Sequence, residues 1–204
     1  MLLYIEYISR RPNISLSHFH AIAQLGQDGW AGQYGADRLL LHLGRTWRIG
    51  PEPEYLAVWF TPDSGTDRLD DWERAFASGE ADAFEKPMEV VARLDVAGCY
   101  EPLRDPEAHR GGRYYVEYFD FQPGASRDDV EVFFEERRRN NGLLLPVLVD
   151  RIGRLGPEPR GLAFWVLPNY GKLEKLAREC EEADSPPIRL VTSGLYAELG
   201  QEVL

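Results

Sequence analysis

The sequence predicts an α+β protein in which one β-α-β-β-α-β unit is written twice and the two antiparallel sheets pack face to face as an intramolecular barrel. RIGPEPEYLAVW, from Arg48 to Trp59, matches RLGPEPRGLAFW, from Arg154 to Trp165, at eight positions. LYIEYISRRPNIS, from Leu3, and YYVEYFDFQPGAS, from Tyr114, each give a Tyr-x-Glu-Tyr strand, a proline turn and a serine. Those strands are apolar or aromatic on both faces. Tyr4, Glu6 and Ile8 alternate with Ile5 and Tyr7, and Tyr115, Glu117 and Phe119 with Val116 and Tyr118, so the face that helices leave bare needs a second sheet.

Taken in order, residues 3–8 and 114–121 are β-branched and aromatic and stop at Pro12 and at Pro123-Gly124, as strands do. Each following serine is a helix cap, and apolar residues at helical spacing come next: Phe19, Ile22 and Ala23, then Val130, Phe133 and Phe134. RLLLHLGRTWRIG and LLLPVLVDRIGRLG are second strands that turn at Gly-Pro-Glu-Pro, and EYLAVWF and RGLAFWVL return as third strands. Second helices are expected with buried Leu69, Trp72 and Phe76, and with Leu173, Leu176 and Cys180. MEVVARLDVAGCYEPL and PIRLVTSGLYAEL close the units as last strands with a shared Gly-x-Tyr. This is the ferredoxin-like order. The expected units are residues 1–103 and 113–204, joined by a connector at 104–112.

The formal charge of −11 opposes the counterion release on which nucleic-acid and anionic-membrane binding depend. It also argues against an RNA-recognition use of this topology, as does the lack of a Lys/Arg-Gly-Phe strand signature. MLLYIEYISRR has no basic n-region and an early Glu6, so it reads as a strand rather than a signal peptide, and no run is long enough to span a bilayer. Cys99 and Cys180 show no metal or redox spacing and suit a reducing compartment, and the expected location is the cytoplasm.

The plan resembles the dimeric α+β barrel superfamily, with two copies fused in one chain. YYVEYFDFQPGAS followed by DRIGRLGPEPRGLAFWVLPNY is similar to NIPSNAP-like proteins, although Arg11-Pro12-Asn13 departs from their Pro-Gly turn. The resemblance implies a small apolar or aromatic molecule bound in the barrel cavity, with proton-transfer or cofactor-free monooxygenase chemistry. The alternatives are a non-catalytic carrier or sensor, and a protein-interaction module whose barrel is filled by side chains. Some fused barrels of the superfamily bind haem through a second-half histidine. No histidine follows His109, so that arrangement is not expected, while ligation by Cys or a first-half His stays open. No cofactor, metal, nucleic acid or membrane partner is expected, and a homo-oligomer is possible but not required.

Glu6 and Glu117 are the first catalytic candidates, because a carboxylate among aromatics has a raised pKa and the two could share a proton; an ion pair with arginine is the other use of such a residue. His42 is the third, since Leu148 stands at its matched position and a specialised pocket would break the symmetry. Tyr4, Trp59, Tyr115 and Trp165 offer apolar lining, and Arg151, which matches Arg45, offers an anion partner or an ion pair. GQDGWAGQYGAD has no counterpart in the second copy, and it is expected to be a flap carrying Trp30 and Tyr34 over one barrel mouth, or simply a long loop.

Overall fold

A computed structural model describes residues 1–33, 37–62 and 65–200. The first half runs β1 (Leu2–Arg10), α1 (Leu16–Gln33), β2 (Arg38–Arg45), β3 (Tyr55–Thr61), α2 (Arg68–Ser78), α3 (Asp82–Val91) and β4 (Ala92–Pro102). The second runs β5 (Arg113–Phe121), α4 (Arg127–Asn141), β6 (Leu144–Arg151), β7 (Gly161–Leu167), a 3-10 turn at Tyr170–Lys172, α5 (Leu173–Glu182) and β8 (Ile188–Glu198). All strand pairs are antiparallel and the sheet closes in the order β1-β3-β2-β8-β5-β7-β6-β4. The expected α+β barrel is therefore the observed fold. The two seams between halves are short: Leu43 to Arg45 against β8, and Tyr100 to Pro102 against β6.

Alternation along the strands sorts the side chains into three cores. Leu3, Ile5 and Tyr7 join Leu56, Val58, Val116, Tyr118, Leu162 and Phe164 in one buried cluster inside the barrel. The outer faces meet helices, with Phe19, Ala23, Ala57 and Val91 in the first half and Phe134, Trp165, Leu176 and Cys180 in the second. Two hydroxyl pairs form within this cluster: Tyr7 with Tyr100 at 3.1 Å, and Tyr118 with Tyr196 at 2.9 Å. Burial holds the Tyr7 and Tyr118 hydroxyls well above their ordinary range, so both stay protonated.

The twice-written Gly-Pro-Glu-Pro hairpin joins the halves. Gly50 of the first hairpin lies on Gly194 of β8, and Gly156 of the second lies on Gly98 of β4; a Cβ added to Gly156 would stand 2.8 Å from the Gly98 Cα. Backbone bonds reinforce each crossing, with Leu195 N donating to Ile49 O at 2.9 Å and Cys99 N to Leu155 O at 2.8 Å. The matched arginines hold these loops from inside their own half. Arg45 donates to the carbonyls of Gly50 and Pro51 and to Glu52, and Arg151 donates to those of Gly156 and Pro157 and to Glu158. Arg151 is thus a loop clamp, which corrects its reading as a ligand residue.

Two helical expectations change. The glycine-rich segment is not a flap as far as Gln33, because residues 26–33 continue α1. The Trp30 side chain and Tyr34 lie outside the described residues. Met88 to Val91, expected in the last strand, belong to α3, an added helix that packs on α1 and has no counterpart in the second half.

Replacing Gly98 or Gly194 by Ala is expected to destabilise the protein by about 1–3 kcal/mol, because each new methyl meets a facing glycine backbone and a tyrosine ring. Urea unfolding at pH 7 measures the loss.

Candidate functional site

The candidate site forms where the halves differ. Glu6 on β1 and Glu117 on β5 both point outward, toward helices, and each pairs across the ladder with an alanine, Ala57 or Ala163. Each carboxylate accepts a bond from the tryptophan of the next strand: Trp59 Nε1 to Glu6 at 2.9 Å, and Trp165 Nε1 to Glu117 at 2.8 Å. The helix above then decides the outcome. In the second half Ser126 caps α4 in a capping box with Asp129, and eleven residues later Arg137 reaches down to Glu117. Its two terminal nitrogens bind the two carboxylate oxygens at 2.8 and 2.9 Å. Eleven residues after Ser15, α1 carries Gly26 instead.

A cavity of about 440 Å³ occupies the resulting space. Glu6, Ala57, Trp59 and His42 form its floor, and Ala23 and Gly26 of α1, Phe76 of α2, and Glu85, Met88 and Glu89 of α3 enclose it. His42 lies in the same cross-strand row as Glu6, with Ala57 between them. The small alanine keeps that row low enough for the space to remain open.

The two carboxylates therefore sit in different electrostatic settings. Burial pushes the Glu6 carboxyl from 4.5 up to about 7; the Trp59 donor opposes the rise and the charge of Glu85 adds to it. Burial, with nearby His20, lowers the His42 imidazole from 6.5 to about 3, so it is neutral at physiological pH. Glu117 is fully buried and neutralised by its bidentate arginine, and the Cys180 thiol beside it is pushed up to about 12 by burial.

Of the sequence candidates, this geometry brings together Glu6, His42 and Trp59. It separates Glu117, whose ion pair leaves no carboxylate oxygen for chemistry and which lies under the other half's helices, so the two glutamates cannot share a proton. Tyr115 and Trp165 are packed in the second-half core, and Tyr4 packs edge-on against Trp72 with ring centres 4.9 Å apart. The expected barrel-interior site is displaced as well: that interior is packed with side chains, and the cavity lies between sheet and helices. Glu85, Met88 and Arg137 were not singled out from sequence, Gly26 was noted only as part of the glycine-rich segment, and Phe76 only as an expected helix core position, where it is half exposed. Aligning the helices on their capping serines would have exposed the Gly26–Arg137 difference.

No family model matches the chain. A curated protein, the DNA primase small subunit of Schizosaccharomyces pombe, is 26% identical over 160 residues, which is 73% of this chain and 33% of that protein. The chain thus spans about a third of that relative. Solved structures align over nearly the whole length. A heme-binding protein from Thermus thermophilus gives a TM-score of 0.61 at 10% identity over 97% of this chain and 90% of the other. Chlorite dismutase from Candidatus Nitrospira defluvii gives 0.60 at 6% over the same shares, and a candidate monooxygenase from Fusobacterium nucleatum gives 0.55 at 8% over 97% and 91%. The fold is the chlorite dismutase-like α+β barrel.

At these identities the likeness is one of fold. Haem does not fit the residues present. Arg137, Glu117 and Trp165 fill the space under α4, and three carboxyl groups, Glu6, Glu85 and Glu89, line the first-half cavity, where a porphyrin disc needs a largely apolar slot. Among the described residues no cluster of three or more His, Cys, Asp or Glu could hold a metal, and no helix is long and apolar enough to cross a membrane.

Two outcomes are expected. Arg137→Ala leaves a buried carboxylate unpaired and should cost about 3–5 kcal/mol in urea unfolding. The folded state keeps a proton on Glu6 that the unfolded chain releases above 4.5, so this group's contribution is full below that value and declines as pH rises to about 7. His42 acts oppositely, its contribution being complete above 6.5 and lost as pH falls toward 3. Comparing Glu6→Gln with the unsubstituted protein isolates the carboxyl. The variant should gain in relative stability between pH 4.5 and 8, by at most about 3 kcal/mol because Glu6 is only half-buried and solvent screens its charge, as read from Tm against pH.

Proposed function

We propose that the protein binds a small molecule in the first-half cavity and that Glu6 exchanges a proton with it near neutral pH. The observation that carries this reading is a half-buried carboxyl, pushed up to about 7, on the floor of an open cavity whose second-half equivalent is plugged by arginine. A group half ionised at working pH can both take and give a proton, which is the requirement for general acid–base catalysis. Trp59 orients one oxygen of Glu6, and neutral His42 supplies a hydrogen-bonding group in the same row. Of the chemistries implied by the family resemblance, proton transfer is the one with a group in place. The NIPSNAP-like likeness of β5 and β7, a duplicated origin with units at 1–103 and 113–204, and a cytoplasmic setting belong to the same reading.

Thermal-shift screening of small aromatic, acyl and amine compounds tests it. A binder at a hundred times its Kd should add about 2.7 kcal/mol of stability. Gly26→Arg, whose Cβ would meet only the flexible Met88 side chain, should fill the cavity as Arg137 fills its own and remove the response. Compounds that stabilise both forms equally would place binding elsewhere and overturn the proposal.

A further inference from the structure

The second half carries within its own fold the group that the first half lacks. The Arg137 guanidinium is bound by both oxygens of Glu117, donates to Leu176 O at 2.8 Å, and reaches Glu179 with Nε at 3.3 Å. It also lies 5.1 Å from the Trp165 ring centre and 5.5 Å from those of Phe133 and Phe134, within range of cation–π attraction. This is a complete receptor for a planar cation, occupied by a side chain. The carboxylate, the indole bonded to it, and a flanking acid all have counterparts in the first half: Glu6, Trp59, and Glu85 with Glu89 on α3. Gly26 withholds the cation.

Building on the first-half cavity as the binding site, we infer that its ligand is a small molecule headed by a planar organic cation, a guanidinium or amidinium, with an apolar body against Trp59 and Phe76. A fork of N–H donors matches the two oxygens of Glu6 as Arg137 matches those of Glu117. The volume of about 440 Å³ exceeds a guanidinium alone, which leaves room for that body. A protein of net charge −11 also raises the local concentration of cations.

Binding of such a ligand draws the proton off Glu6. Among the described residues the other titratable groups around this carboxyl are Tyr4 on its own strand, His42 on β2, His20 on α1 acting on His42, Glu85 and Glu89 on α3, and Arg11 and Arg93 at the cavity edge; α1 and α2 also contribute Ala23, Gly26 and Phe76. Arg11 is tied to the carbonyls of Glu89 and Ala92, and Arg93 to Asp95, so neither arginine is spent on Glu6.

Benzamidine and its uncharged isostere benzamide, titrated calorimetrically into the full chain, test the inference. Benzamidine should bind at pH 8, weaken about thirtyfold by pH 5.5 as Glu6 takes up its proton, and be lost in Glu6→Gln and in Gly26→Arg. Benzamide binding as well as benzamidine, with Gly26→Arg abolishing both, would overturn the cation and leave the cavity standing. Binding that ignores Gly26→Arg would sink the site and the cation together, and no benzamidine binding at pH 8 overturns the inference. A second readout uses the occupied receptor. Millimolar methylguanidinium should restore part of the Tm lost in Arg137→Gly, and methylurea should not; equal effects of the two would count against recognition by charge.

Discussion

Mutual burial of two sheet faces is the constraint on which the rest depends. Neither half has helices enough to cover both sides of its four strands, so the row of Leu3, Ile5 and Tyr7 needs Val116, Tyr118 and Phe164 as much as they need it. Burying that face removes apolar surface from water at roughly 25 cal/mol per Å². It also consumes the interior. A barrel of eight strands is just wide enough for side chains to fill, and the large tyrosines here fill it. The cavity beside Glu6 lies instead on the outer face, where helices stand off the sheet by the length of whatever side chains they carry.

On that outer face one substitution separates the halves. An arginine eleven residues beyond the helix cap reaches a strand glutamate and closes the gap, whereas a glycine at that place leaves it open. The ion pair alone is weak evidence of stabilisation, since desolvating both partners offsets much of their attraction. Its more definite effect is on space. Beside the guanidinium Glu117 is held in a bidentate ion pair; Glu6, in the matching place beside the matching indole, has no such partner and burial pushes its carboxyl up to about 7.

Much of the architecture was legible in the chain. Period-two alternation sorted the residues of β1 and β5 into two faces without showing which one turns inward, the repeated hairpin marked the duplication, and the serine caps located α1 and α4. What was not legible has physical causes. Glycines at 26, 29 and 32 lower helix propensity, yet α1 continues through them because α3 packs alongside. Met88 to Val91 have strand-like composition but belong to α3, where Met88 and Val91 pack on the first-half core while Glu89 and Val90 are exposed. Glu6, His42 and Trp59 could be picked out as polar or aromatic breaks in apolar strands. Their partners on the helices could not, because which helix residue overlies a strand residue depends on tertiary register, and Arg137 reads in the sequence as one of three successive surface arginines.

The central cluster has a thermodynamic consequence. Its members come from both halves in alternation, and each hairpin rests on the last strand of the opposite half. Loss of order in one half strips the other of its inner packing and of a crossing loop at the same moment. The chain, long enough for two independent domains, should therefore melt as one cooperative unit, with neither half surviving as a partly folded intermediate.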